Sequence, residues 1–404
     1  MGISRSVILL TVVLGSSPRV CDAWLIRCVD RLILTANTGQ NARDPKRYER
    51  VKLLIGLVNL AIYIVVPVIV LATGASASIR DSISDATWGS VVMGAVVYIV
   101  GASILLELVT LPLGYFSGHI LEKRYGLTRR TVFGWAKDWL KSLALQTVML
   151  AVFVGCLYAL LMLDPGLWWV WASLVFSAIS IFLAAIAPIV LMPIFFKFEP
   201  LPDGELKDRL MRLSGQLGTF VQGAYVWKLG DKTVKANAAL AGWGKTRRII
   251  ISDTLIDSHD PDEIEVIIAH ELGHHVNGDI WRGIAVQVVI IFVSMWLINQ
   301  ALVAWSDVFG LDGTLHDYAN LPLLALVSTL VGLIALPLAN TYSRRRETAA
   351  DDFAIETTNM RSEFISAMEK LGKINLANAE PHPIVEKMLH SHPSISRRIA
   401  RARG

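Results

Sequence analysis

The chain has 404 residues, 53% of them hydrophobic and only 18% charged, with a formal net charge of +4. A soluble enzyme of this size carries more charge, and so small a positive balance gives no reason to invoke nucleic acid as a partner. Three cysteines, Cys21, Cys28 and Cys156, are too few for a disulfide scaffold or a cysteine metal framework.

The first fifty residues read as an uncleaved, membrane-associated segment. Arg5 followed by the apolar run 7–14 resembles the start of a signal peptide, but the run is short and no clear small-x-small cleavage site follows. Residues 24–34 mix Arg27, Asp30 and Arg31 with apolar side chains, a pattern suited to a membrane interface. Six apolar runs of spanning length then appear, at 53–72, 91–113, 142–163, 168–195, 280–302 and 321–340. Trp88, Trp168, Trp169, Trp171, Trp281 and Trp305 lie near their ends, as an aromatic belt requires. The division expected is a segment 1–50, a four-span membrane domain 51–198, and a catalytic domain 199–404 that includes the last two spans.

Alternate loops differ in charge. The loop 41–52 carries Arg43, Lys46, Arg47, Arg50 and Lys52, and 115–141 carries Lys123, Arg124, Arg129, Arg130, Lys137 and Lys141. The loop 75–89 has only Arg80, and 303–320 has no Lys or Arg. By the positive-inside rule the segment 197–279, the run Arg344-Arg345-Arg346 and the C-terminus lie in the cytoplasm. The implied protein is a multi-pass one, set in a lipid bilayer.

Residues 234–240 have the polarity of a short edge strand, to which a peptide can add by backbone pairing. From the residues alone Asn237 reads nearly as well as a turn residue. Next comes the most specific signal in the chain, His270-Glu271-Leu272-Gly273-His274, an HExxH sequence. By average usage roughly one chain in a hundred of this length would carry it by accident, so its context decides. Asp260-Pro261-Asp262-Glu263 reads as an N-cap, a proline at the first helical position and a capping box. Gly278 reads as the stop. On the resulting helix, His270 and His274 share a face and can hold one zinc ion, with Glu271 beside them to take a proton from a metal-activated water. His275 lies off that face. His119, His259, His316, His382 and His390 read as surface residues.

Two histidines leave a catalytic zinc one protein ligand short. The candidates are Glu347 and Asp351, four apart at the cytoplasmic end of the helix that continues the sixth run. One can bind zinc while the other orients an imidazole. Their other reading is a solvated helix with arginine–carboxylate pairs.

HELGH followed by Ser343, Arg344, Glu347 and Asp351 in the pattern S-R-x-x-E-x-x-x-D resembles the type I CAAX prenyl endopeptidase family of integral-membrane zinc proteases. Leu111-Pro112-Leu113, the stretch Glu122 to Thr128, and Asp138-Trp139-Leu140-Lys141 are similar to that family's N-terminal membrane domain. Asn237-Ala238, Arg248 to Leu255 and Ser391-His392-Pro393-Ser394 with Arg398 are similar to elements of its catalytic domain. The resemblance implies a mainly α fold: polytopic membrane helices with a cytoplasmic zincin-like domain containing a small β-sheet. It implies one zinc per chain on His270, His274 and Glu347, with Glu271 as general base and Asp351 supporting a ligand. It further implies that Asn237 and Ala238 hold the substrate backbone, and that His392 and Arg398 stabilise the oxyanion. The substrate is then a peptide or membrane protein, lipidated if the prenyl role holds.

Asn277-Gly278-Asp279 also resembles the family's bacterial heat-shock proteases, which implies a quality-control protease of the bacterial inner membrane as the alternative. A transporter is the reading from a different class. It draws on the spans and on Pro112, Pro188, Pro193, Pro322 and Pro337 as helix breakers, with Glu107 the one ionisable residue set well inside a span.

Overall fold

The computed structural model describes residues 44–404 except 306 and 308–313. The leader-like stretch, the interfacial segment 24–34, Cys21 and Cys28 lie outside the described residues.

Helix α1 (Pro45–Ala72) starts where Asp44 accepts a hydrogen bond from the Lys46 N–H and proline takes the first turn. A short polar helix, α2 (Ala75–Ala86), precedes α3 (Val91–Arg124), α4 (Val132–Leu163) and α5 (Trp168–Phe195). Two further long helices follow in the second half, α9 (Asp279–Trp305) and α10 (Leu321–Thr358). These six long helices are apolar and long enough to cross a membrane, and each contains one of the six apolar runs. Side chains along them such as Leu105, Val289 and Ile334 are exposed, a surface suited to lipid. Helices α1 and α4 begin earlier than the apolar runs do. Asp44 and Thr131 cap them, so side-chain hydrogen bonds rather than hydropathy set those starts.

The prolines do not break the spans. Pro112 and Pro337 lie within α3 and α10, and Pro322 sits in the first turn of α10, where no N–H is needed. Pro188 falls in a π-helical segment (Ala187–Leu191) inside α5. Glu107 accepts a 2.8 Å hydrogen bond from the Trp139 indole, so its charge has a partner within the membrane domain.

Between α5 and α9 the chain builds a small mixed sheet. Strands β1 (Phe198–Pro200), β2 (Gly223–Trp227), β3 (Ala238–Ala241) and β4 (Arg248–Ser252) lie in the order β1-β2-β4-β3. β2 and β4 are parallel, and the outer pairs are antiparallel. β3 is thus an edge strand. Its regular part is Ala238–Ala241, so the predicted 234–240 starts too early. Val234 and Ala236 bond elsewhere, to Leu127 and Asn375. Helix α6 (Glu205–Gln216), the short α7 (Asp253–Ile256), α8 (Pro261–Val276) and the C-terminal helices α11 (Arg361–Ile374), α12 (Pro383–Leu389) and α13 (Ile395–Arg403) complete the domain. Ile249 and Ile251 of β4, Leu255, and Ile264 and Leu272 of α8 are fully buried in its core. Helix α8 is therefore held rigidly against the sheet, a firm base for the side chains it presents.

Candidate metal centre

Helix α8 begins as the residues dictate. Asp260 is the N-cap, Pro261 opens the first turn, and Glu263 accepts from the Asp260 N–H at 2.9 Å to close the capping box. Glu263 is buried, held by Lys370 and Ser366 of α11. The helix ends at Asn277, and Gly278 takes the left-handed conformation (φ +68°) that lets the chain turn into α9.

Two turns of α8 face α10. Their close approach depends on Gly273: a Cβ there would lie 2.9 Å from the ring of Phe353. The ring fixes the distance at which the imidazoles of α8 meet the carboxylates of α10. Nε2 of His270 is 3.3 Å from Glu347 Oε2, and Nε2 of His274 is 3.4 Å from Glu347 Oε1. One candidate ligand atom from each of His270, His274 and Glu347 falls within 4.8 Å of the others. Glu347 Oε2 is buried without a hydrogen bond of good geometry. A buried acceptor facing two imidazoles is unfavourable unless positive charge joins it. Two imidazoles and one carboxylate, with a side open to a cleft, are the donor set of a catalytic zinc. The residues therefore fit the metal.

The outer faces of both imidazoles are also held. His270 Nδ1 lies 2.9 Å from Asp351 Oδ1, and His274 Nδ1 lies 2.9 Å from Asp279 Oδ2. Asp279 is in turn bonded by Nε of Arg346. Arg398 of α13 forks onto Asp351, Nε to Oδ2 at 2.9 Å and Nη2 to Oδ1 at 2.6 Å. Each imidazole thus has a carboxylate behind it, and each carboxylate has an arginine behind it. Burial opposes charge on His270, yet the adjacent carboxylates of Asp351 and Glu347 hold its pKa up to about 9. The cluster favours positive charge, which is the electrostatic condition for holding a divalent cation.

Glu271 opens onto the same cleft, which has a volume of about 660 Å³. Burial pushes its carboxyl above the ordinary carboxylate range, while the charges of His270 and His274 oppose that shift. His392 approaches from the C-terminal loop, with Nε2 3.2 Å from Glu347 Oε1 and Nδ1 2.8 Å from Ser391 Oγ. Asn237 and Ala238 line the cleft too. The Asn237 side chain folds back to accept from the Ala238 N–H at 2.9 Å.

Every predicted site residue reaches this cleft or, for His274 and Asp351, the cluster beside it. The sequence reading missed Asp279, which the Gly278 turn swings back onto His274, and Asn375, described below. Two predicted surface histidines are buried: His119 packs on Tyr115, and His259 bonds Ser258. His390 is half-buried, 3.0 Å from Glu49. His275 lies outside the cluster, in a second cavity beside β3.

Known proteins match this architecture. A model of peptidase family M48 matches residues 200–404, and one of the CAAX prenyl protease N-terminal domain, described as five membrane helices, matches residues 35–197. Among the described residues 44–197, four helices are of spanning length, with the shorter α2 between them. A Bacillus subtilis protein named uncharacterized metalloprotease YhfN is 30% identical over 304 residues, covering 74% of this chain and 71% of that one. CAAX prenyl protease 1 of Saccharomyces cerevisiae is 27% identical over 319 residues, covering 74% and 69%. The crystal structure of S. mikatae Ste24p shares the fold, with a TM-score of 0.80 over 95% of this chain and 96% of that one at 21% identity. With family models over residues 35–197 and 200–404 and a relative 30% identical over 74% of its length, the chain belongs to the CAAX prenyl endopeptidase family of M48 membrane metalloproteases.

Proposed function

We propose that this protein hydrolyses peptide bonds at the cytoplasmic membrane face, with one zinc held by His270, His274 and Glu347 and with Glu271 as general base. The observation that carries this reading is the convergence of three ligand atoms from α8 and α10 beside Glu271 in one cleft. A zinc ion held by these three residues would supply a water of pKa lowered toward about 7 and would polarise the scissile carbonyl. Glu271 takes the proton of the attacking water and later delivers it to the leaving amine. Asp351 and Asp279 fix the orientation of the two imidazoles, and Arg398 holds Asp351 in place. His392 stands where it can donate to the oxyanion. The substrate backbone adds to the edge of β3 at Ala238, where it takes over the Ala238 N–H from the Asn237 side chain. Purified protein is expected to hold about one zinc per molecule, and His270→Ala to lose it, because a ligand is removed outright. Metal analysis showing full zinc in that variant would sink the assignment.

The side of the membrane is argued from charge. Basic loops alternate with loops poor in Lys and Arg, which supports a cytoplasmic active site and C-terminus. The likeness of Asn277-Gly278-Asp279 to bacterial heat-shock proteases supports a bacterial inner membrane as the setting. The division into 1–50, 51–198 and 199–404 belongs to the same reading. A reporter after Gly404 should be protected from external labels, and a tag at Gly89, between α2 and α3, should be accessible. The reverse pattern would overturn the orientation.

A second cavity supports a lipidated substrate. It has a volume of about 630 Å³, lies between α5, α9 and the Ala239–Trp243 end of β3, and is walled by Ile181, Ala184, Trp281 and Ile284. A peptide on β3 can lay an attached apolar chain there. Prenylated peptide should then show a lower KM than its unmodified twin, and equal KM values would favour the quality-control alternative.

A further inference from the structure

The edge of β3 is not open along its whole length. Asn237 turns both its backbone groups toward β4: its N–H donates to Ser252 Oγ at 2.9 Å, and its carbonyl accepts from the Ser252 N–H at 2.9 Å. By the alternation of a strand, the backbone groups of Ala236, Ala238 and Leu240 then point outward, to where a peptide would add; the Ala238 N–H is held only by the neighbouring Asn237 side chain, which an adding peptide can displace. At Ala236 that position is taken. The Asn375 side chain accepts from the Ala236 N–H at 3.0 Å and donates to the Ala236 carbonyl at 3.2 Å. A primary amide presents one acceptor and one donor in a plane, the same pair that a backbone residue of an adding strand would offer. The side chain is well anchored. Asn375 ends α11, with its own N–H bonded to the Leu371 carbonyl, and the next residue, Leu376, is buried with a left-handed φ of +53°. Asn375 also lines the cleft that holds His270 and Glu271.

We propose that Asn375 is a register stop: it fills the outward edge at Ala236, just before β3 begins, and so limits how many residues of a bound peptide can pair on that side of the scissile bond. This rests on the strand-addition reading above. Antiparallel pairing is the commoner mode. It places the peptide's C-terminal part toward Ala236, since β3 itself runs from Ala238 to Ala241. Residues beyond the stop gain no backbone pairing and must leave the sheet. Asn375 touches no reacting atom; it is a positioning residue that sets specificity for length.

The test uses the full chain in lipid nanodiscs and synthetic peptides that share one N-terminal sequence. Their C-terminal sides grow one residue at a time, and kcat/KM is read by mass spectrometry. In the wild type, kcat/KM should stop rising once a peptide reaches Ala236. Asn375→Ala should raise kcat/KM about two- to tenfold for the longer peptides alone, the worth of one regained hydrogen bond. Asn375→Asp keeps the acceptor for the Ala236 N–H and should keep the break in the profile. A wild-type profile that rises without a break overturns the proposal with no variant needed. So does an Asn375→Ala profile lowered equally at every length, which is the mark of a structural role alone. If the wild type cleaves peptides but gains nothing from any residue on the C-terminal side, strand addition itself fails, and the stop fails with it.

Discussion

Glu271→Gln is expected to retain the fold and the zinc while proteolysis falls by about 10²–10⁴-fold, the usual contribution of a positioned proton carrier. The amide has nearly the shape of the carboxyl, so it fits the same place between His270 and the cleft. It cannot take a proton from water at neutral pH. Glu271 is well placed for the task because burial pushes its pKa up while two neighbouring histidines restrain the shift. A carboxyl moved toward neutrality is a better match to both halves of the reaction, accepting from water and then donating to the leaving amine. Zinc content and peptide cleavage measured on the same preparation decide the matter. Turnover at the wild-type rate by a fully loaded variant would remove Glu271 from the mechanism, and loss of zinc would show that the substitution disturbs the centre rather than the chemistry.

What was legible in the sequence was local. The start of α8 is written within four residues, Asp260 to Glu263, and its stop in Gly278, so helix and face followed without any knowledge of the fold. The spans were legible because apolar length is itself the physical requirement for crossing a bilayer. Where a cap rather than hydropathy sets the boundary, at Asp44 and Thr131, the runs fell short of the helices. The remainder depends on contacts between distant segments. Asn375 meets Ala236 across 139 positions, and nothing near either residue announces the pairing. Asp279 supports His274 only because Gly278 reverses the chain between them. Arg398 was expected as an oxyanion group, yet the structure commits two of its donors to Asp351, a partner on another helix 47 positions away. Gly273 could be read as a small residue in a motif. That it admits the Phe353 ring, and so sets the spacing of α8 and α10, needs both helices in place.

Those two helices also frame the last prediction, which separates three carboxylates on α10. Helix α10 has 38 residues, about 57 Å at 1.5 Å per residue, enough to cross the bilayer and carry its C-terminal turns to α8. Glu347 faces both Nε2 atoms. Asp351, one turn on, reaches only Nδ1 of His270, the side turned away from the candidate metal position. Asp352 points elsewhere and pairs with Arg401 at the surface. The expected losses are therefore graded. Glu347→Ala should abolish activity and strongly weaken zinc, since a donor disappears and the buried His270 and half-buried His274 imidazoles face each other without a carboxylate between them. Asp351→Ala should weaken zinc by roughly 10–100-fold, as the loss of an imidazole's supporting carboxylate does elsewhere. It also leaves Arg398 buried without its partner, so stability should fall as well. Asp352→Ala should be close to neutral, because an exposed ion pair contributes little. Zinc titration of the three variants against a competing chelator reads the order directly. If Asp351→Ala lost the metal while Glu347→Ala kept it, the two carboxylates would have to exchange roles, with the metal on the Nδ1 side of His270.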